Sequence, residues 1–249
     1  MDFYNKTVAD IVTENYKTAD IFKKHRIDFC CGGKISLEEA CANKNVDVNI
    51  VKDELRDLDN NNNMRQNITD WELDFMTSYI VSNHHNYVKN SVPLLKQYAK
   101  KVASVHGGEH PELIDVRNNL FALIKELLPH MDKEEEVLFK YIDEMVKVKR
   151  YNGEYEKPMF QTIANPIAAM HSEHLEAGDL MHKINELTDG YTLPQGACQT
   201  YTVFFAKLQE FQDDLFQHIH LENNILFPKA LRLEKELVDG IKEHALNVL

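Results

Sequence analysis

The sequence predicts an all-α protein, and three observations carry that prediction. Glycine and proline are scarce, at 9 and 7 in 249 residues. Apolar residues recur along most of the chain at helical spacing. No segment alternates apolar and polar residues as a half-buried strand would. The implied architecture is an antiparallel four-helix bundle with a small helical domain in front of it.

The elements follow in order. Residues 8–25 read as one helix, with Ile11, Ala19 and Phe22 among its apolar positions. Cys30-Cys31-Gly32-Gly33 reads as a turn. Ser36, with Glu39 three residues on, makes a capping box that opens a short helix through Cys41. Residues 47–58 read as a third helix. Asn60-Asn61-Asn62-Asn63 is a poor helix interior and marks a linker. The predicted domains are therefore 1–60, a linker over 61–68, and a bundle over 69–249. Four long helices fill the bundle. The first spans 69–105, with a bend at Pro93, and His106-Gly107-Gly108 closes it. The second spans 111–150, with Pro111 in its first turn, and Asn152-Gly153 closes it. The third spans 158–187, with a bend at Pro166, and Asp189-Gly190 closes it. The fourth spans 194–232. A short tail helix over 233–249 is expected at most.

Composition narrows the partners. The net charge of −12 argues against nucleic acid and against an anionic membrane surface. No run approaches the ~20 apolar residues that span a bilayer. The first residues lack the basic stretch and apolar run of a signal peptide, so a cytoplasmic location is expected. Four cysteines in a chain this long do not make a disulfide framework. Adjacent cysteines bridge only with strain, so Cys30 and Cys31 are expected as free thiols.

One pattern occurs twice. His130-Met131-Asp132-Lys133-Glu134 continues to Leu138-Phe139, and His218-Ile219-His220-Leu221-Glu222 continues to Leu226-Phe227. The two copies fall on the second and fourth long helices. A His and a Glu four apart share a helix face. The following leucine turns that face towards the bundle core. An ionised Glu faces a core only when paired or bound to metal. With 12 His and 40 acidic residues, chance alone gives about two such spacings, and the chain has three. The third, His182/Glu186, lacks the Leu-Phe continuation and reads as a solvated pair. The shared extension, on separate helices, is what points to metal.

The other two long helices add candidates. His84 and His85 point about 100° apart, so one of them faces inward. The third helix offers His171, Glu173 and His174. A lone histidine is ordinarily a satisfied or half-exposed side chain, but four helices each supplying one weaken that reading. Imidazole plus carboxylate suits iron, zinc or manganese, and no cysteine lies near for a thiolate zinc site. Four His and two Glu exceed what one tetrahedral zinc needs and suit two metals bridged by two carboxylates. Di-iron bundles bridged in this way exist, although the ferritin-like kind uses Glu-x-x-His.

At this point a resemblance enters. His130-x-x-x-Glu134, Ser172-Glu173-His174-x-Glu176-Ala177-Gly178 and His218-x-x-x-Glu222-Asn223-Asn224-x-Leu226-Phe227-Pro228 resemble the hemerythrin-like domain of the iron–sulfur cluster repair di-iron proteins. Asp28-Phe29-Cys30-Cys31-Gly32-Gly33-Lys34 resembles the short N-terminal domain of the same family. The resemblance covers nearly the whole chain in the family's order. It implies that His130, His174 and His218 are metal ligands and that Glu134 and Glu222 bridge. The first-helix ligand matches His85, eight residues before Pro93, with His84 as the alternative. Glu126 and Glu173 match acidic residues near the site that support it or handle protons. His106 falls in a matching stretch without an assigned role. The implied cofactor is two iron ions with an oxo or hydroxo bridge. The implied setting is a stress-linked cytoplasmic protein, often a homodimer, that restores clusters damaged by nitric oxide or peroxide. Damaged iron–sulfur proteins are then the partners, and nitric oxide or oxygen the small ligands.

Cys30 and Cys31 are candidates to accept iron or exchange redox equivalents. A thiol before Gly32-Gly33 at a helix start predicts a lowered pKa, against the plainer reading of two small residues buried at a turn. The rival functions are an oxygen carrier or sensor and a di-iron enzyme that reduces nitric oxide or oxidises iron. The first resembles a site with five histidines and gains if His171 or His220 is a ligand. A metal-free helical interaction protein is the plainest rival.

Overall fold

The computed structural model describes residues 6–60 and 68–247, with side chains through Leu58 and from Ile68 to Gly240. Residues 61–67 of the expected linker lie outside the described residues. Among the described residues every regular element is helical, and the one β contact is an isolated bridge between Thr7 and Ser36. No helix there is long and apolar enough to cross a membrane.

The N-terminal module holds α1 (Val8–Glu14), α2 (Thr18–Lys24), α3 (Leu37–Asn43) and α4 (Val48–Asn60). A full capping box starts α1: the Asp10 N–H donates to Thr7 Oγ1, and the Thr7 N–H donates to the Asp10 carboxylate. At α3 half of the expected box forms, with the Glu39 N–H donating to Ser36 Oγ at 3.2 Å. The helix expected over 8–25 is broken in two. Asn15 turns extended (φ −149°, ψ 97°), and the Thr18 hydroxyl donates to the Asn15 carbonyl at 2.7 Å. Ile11 and Phe22, on either side of the break, reach the same core, so the apolar periodicity hid it.

Four rods form the bundle. The first is α5 (Leu73–Ile80), a π-helical turn (Val81–His85) and α6 (Asn86–His106). The second is α7 (Glu112–Lys133), a π turn (Glu134–Leu138) and α8 (Phe139–Tyr151). The third is α9 (Ala164–Leu187). The fourth is α10 (Gln199–Leu221), a π turn (Glu222–Leu226) and α11 (Phe227–Asn247). The α7 helix packs on α6 and α9, and α10 packs on the same two, which closes the ring.

Several boundaries differ from expectation. The third rod starts at Ala164, not at 158, because the preceding residues make turns with Gln161 at φ 72°. Pro166 therefore sits in the first turn, where its missing N–H has no helical partner to lose. It starts the helix rather than bending it. Pro93 lies inside α6. The fourth rod begins after Cys198, which caps it, and continues as helix to Asn247, so the tail beyond Arg232 belongs to α11.

Two apolar clusters fill the interior. One joins Val8, Phe22, Leu37 and Leu55 of the N-terminal module to Leu95, Leu120, Leu208 and Phe211 of α6, α7 and α10. The other joins Met76, Ile142, Met145 and Phe227 of α5, α8 and α11. At the junction of the two sets of helices lie six buried polar side chains.

Candidate metal centre

His85, His130, Glu134, His174, His218 and Glu222 are each 3% exposed or less. Their placement follows from helix periodicity. On α7 the buried stripe runs Leu120, Leu123, Leu127, His130, so His130 continues an apolar face inward. Each His-x-x-x-Glu pair ends where the helix widens: Glu134 and Glu222 open π turns closed by the bonds Phe139 N–H to Glu134 O and Phe227 N–H to Glu222 O. The wider turn brings two successive residues inside, Leu138 with Phe139 and Leu226 with Phe227. The first rod widens likewise at Val81–His85.

The six side chains form two groups that share both carboxylates. One is His85, Glu134, His218 and Glu222; the other is His130, Glu134, His174 and Glu222. His85 Nε2 and His218 Nε2 are 3.1 Å apart, and His130 Nε2 and His174 Nε2 are 3.0 Å apart. That is the spacing of two cis ligands on one ion with bonds of about 2.1 Å. Glu134 turns Oε2 to His85 (3.5 Å) and Oε1 to His130 (3.3 Å). Glu222 turns Oε1 to His218 (2.9 Å) and Oε2 to His174 (3.2 Å).

The outer nitrogens are held as metal-ligand imidazoles require. His85 Nδ1–H donates to Glu135 (2.8 Å), His130 Nδ1–H to Glu173 (2.7 Å) and His174 Nδ1–H to Asn223 Oδ1 (2.8 Å). Each bond fixes the tautomer that leaves Nε2 free to coordinate. Lys89 and Lys133 in turn pair with Glu135 and Glu173. His218 lacks such a bond and stacks on His84, ring centroids 5.6 Å apart.

Cations fit this cluster. Both oxygens of Glu134 and Oε2 of Glu222 are buried without a hydrogen-bond partner, an expensive condition for carboxylates that stay charged. Burial, together with the Glu222 charge, pushes the Glu134 carboxyl up, yet His130 and His85 hold it below the usual range. Glu222 lies well below that range despite burial, facing His218, His174 and His85. Burial pulls His85 and His130 down, but the carboxylates outweigh it and lift them to about 10 and about 9. His218, wholly buried, is pushed down. Protons on imidazoles thus balance the buried negative charge where no metal does.

A cavity of about 470 Å³ opens between α7 and α9 onto His130 and His174. Glu126 and Glu173 both line it, with Lys133 and Glu176. Larger clefts of about 680 and 770 Å³ flank the N-terminal module and reach none of the six. The Cys30-Cys31 turn lies against the outer side of α9, with Cys31 Sγ 3.4 Å from the His174 carbonyl. The two sulfurs are 3.7 Å apart, and all four cysteines among the described residues are free. Asp28 organises the turn, accepting from the N–H groups of Cys30 (2.8 Å), Cys31 (3.2 Å) and Gly32 (3.0 Å). Gly33 is needed for close approach, since a Cβ there would stand 2.5 Å from the Phe29 carbonyl oxygen. The expected acidic thiol is not what Cys30 is. Burial, the neighbouring Cys31 and the Asp28 carboxylate push its pKa well up, and the turn precedes no helix directly.

Comparison with known proteins agrees with this arrangement. A hemerythrin HHE cation-binding domain matches residues 76–230, and a domain of unknown function (ScdA_N, DUF542) matches residues 4–59. The iron-sulfur cluster repair protein YtfE of Yersinia pseudotuberculosis is 32% identical over 234 residues, covering 94% of this chain and all of that protein. The protein of the same name from Yersinia pestis matches equally. The chain belongs to the iron–sulfur cluster repair protein family.

The structure brings together the six residues that the resemblance implies as ligands and sets the other histidines apart. His84 stands outside the cluster, its Nδ1–H donating to Asp214 at 2.9 Å. His171 lies edge-on to Phe227, and His220 faces the N-terminal module at Phe29. His182, expected in solvent, sits 3.5 Å from Asp28 and against Phe216. Glu135 and Asn223 were missed. The repeat held the signal one position on, because each follows a paired glutamate and anchors a histidine of another rod.

Proposed function

We propose that this chain is a di-iron protein that repairs iron–sulfur clusters damaged by nitrosative or oxidative stress. In this reading His85 and His218 would hold one iron and His130 and His174 the other, with Glu134 and Glu222 as the carboxylates available to both. The observation that carries it is that each carboxylate turns one oxygen to each histidine pair, an arrangement a single-metal site does not need. Iron bound there supplies a position for nitric oxide or oxygen and a labile ion for a damaged cluster. The chain's own residues do the rest. Glu135, Glu173 and Asn223 aim the imidazoles, and the apolar clusters on either side exclude bulk water. Glu126 and Glu173 sit in the cavity where protons or ions pass. Cys31, half-buried beside His174, is the thiol placed to accept iron or to exchange redox equivalents. The named activity of the Yersinia relatives supports this reading, with damaged iron–sulfur proteins as partners. Four free cysteines suit a reducing cytoplasm.

Neither His171 nor His220 reaches the cluster, which favours repair over oxygen carriage by a five-histidine site. The deciding measurement is metal content of untagged protein from iron-replete cells, followed by reactivation of a nitric-oxide-damaged [4Fe–4S] enzyme. About two irons per chain are expected for a carboxylate-bridged pair, lost in Glu134→Ala/Glu222→Ala together with reactivation. One zinc per chain, or folded protein without metal, sinks the reading.

A further inference from the structure

The turn that carries Cys30 and Cys31 is gripped from two bundle helices, and apart from the His174 carbonyl the groups that hold it lie outside the six-residue cluster. On α9, His174, Gly178 and His182 follow at intervals of four and form one stripe. The His174 carbonyl meets Cys31 Sγ at 3.4 Å. Gly178 eases that approach, because a Cβ there would stand a tight 3.3 Å from the same sulfur. His182 reaches the Asp28 carboxylate at 3.5 Å, and Asp28 holds three backbone N–H groups of the turn.

The other grip comes from the fourth rod, through His220 and Asn224. His220 is 2% exposed. Its Nδ1 lies 3.3 Å from the Phe29 carbonyl oxygen and 3.0 Å from the Asn224 amide nitrogen, its Nε2 lies 3.4 Å from Thr13 Oγ1, and its ring meets the Phe29 ring edge-on at 5.9 Å. The Asn224 amide donates to the Cys30 carbonyl at 3.5 Å. Phe29 and Cys30 are each 1% exposed, so the grip closes over an apolar contact. The helices that carry His174, His218 and Glu222 on their inner faces therefore hold the thiol turn on adjoining faces.

We infer that His182, His220 and Asn224 are positioning residues, and Gly178 the clearance, that seat the Cys30-Cys31 turn on the candidate metal-ligand helix. The thiol pair then works docked beside His174, not on an arm that swings free. The inference rests on the di-iron reading for its purpose, but its test does not need metal.

The test is the alkylation rate of each cysteine in the folded full-length protein, read by peptide mass spectrometry, with iron content measured in parallel. Wild-type Cys30 should be protected. His182→Ala, His220→Leu and Gly178→Val should each raise its labelling by about tenfold or more, because local opening replaces a closed seat. His220→Gln, whose amide can donate to the Phe29 carbonyl and accept from the Asn224 amide, should restore most of the protection. His182 is partly exposed and lies outside the core, so His182→Ala keeps the comparison valid even where Gly178→Val does not fold. Unchanged Cys30 protection in both His182→Ala and His220→Leu overturns the inference. Equal labelling in His220→Gln and His220→Leu reduces His220 to packing and overturns its role. Absence of iron from the wild type defeats the di-iron reading alone, since the labelling contrast still decides the docking.

Discussion

Glu134 is the residue at which the cost of the site is concentrated. A fully buried carboxylate with two unbonded oxygens is tolerated where a cation completes it. Chelation of the metal should therefore lower Tm by roughly 5 °C or more, as loss of a ligand specific to the native state does. Restored iron should reverse the change. Glu134→Ala/Glu222→Ala should melt at one temperature with or without iron; a metal-dependent Tm in that variant would place the binding site elsewhere. Asp28 makes a second residue-scale case. Burial would raise its carboxyl, but hydrogen bonds from His182 and Cys30 hold it down, to about 2 from 3.8. A folded-state value below the unfolded one gives stability that is complete above pH 3.8 and lost as pH falls towards 2, worth about 2 kcal/mol. Asp28→Ala should cost about that much in urea melts at pH 7, with the gap narrowing at pH 3. A gap that ignores pH would assign the effect to packing. Cys198 is the third case. It is exposed, and a hydrogen bond with His106 at 3.1 Å, helped by backbone N–H groups at the start of α10, draws its pKa down. Burial pushes Cys30 and Cys41 up. Cys198 should label first with iodoacetamide at pH 8, and His106→Ala should slow it. Faster labelling of Cys41 would contradict both assignments.

At the scale of elements, the π turns do what the sequence could not announce. His130/Glu134 and His218/Glu222 are legible because a spacing of four defines a helix face whatever surrounds it. The π turn after each pair is not legible. Neither Glu134–Leu138 nor Glu222–Leu226 contains a glycine or proline, and the widening answers to packing of two successive residues against partners distant in sequence. The break at Asn15 escaped for a related reason, since a polar residue fits the pattern of a continuous helix as well as that of a stop. The choice between His84 and His85 needed the same tertiary information, because the turn at Val81–His85 buries both neighbours, against the expectation that one faces inward, and brings His85 alone into the cluster. Deletion of Val137, a half-exposed residue inside the second π turn, tests the register. The turn should close to α geometry with α8 nearly in register, because a π turn holds one residue more than an α turn, but Leu138 and Phe139 can then no longer both face the second core. Helix content by circular dichroism should persist while stability falls by more than about 4 kcal/mol. A small loss would mean that the widened turn carries no packing role.

For the molecule as a whole, the continuous first core ties the N-terminal module to the bundle. Phe22 and Leu55 belong to the same buried cluster as Leu120 and Phe211, so neither part has a complete interior of its own. A segment of about sixty residues buries too little surface alone to be more than marginally stable. The thiol turn thus owes its fixed seat to the same burial that stabilises the module. Three consequences can be measured together. Calorimetry of the full chain should show one cooperative transition. Phe22→Ala, a fully buried aromatic, should cost about 3–5 kcal/mol and shift that entire transition. Residues 1–60 expressed alone should lack dispersed amide signals in NMR. Two resolved transitions, with Phe22→Ala moving the lower one only, would mean that the module folds by itself and that the seat beside His174 can open without loss of the bundle.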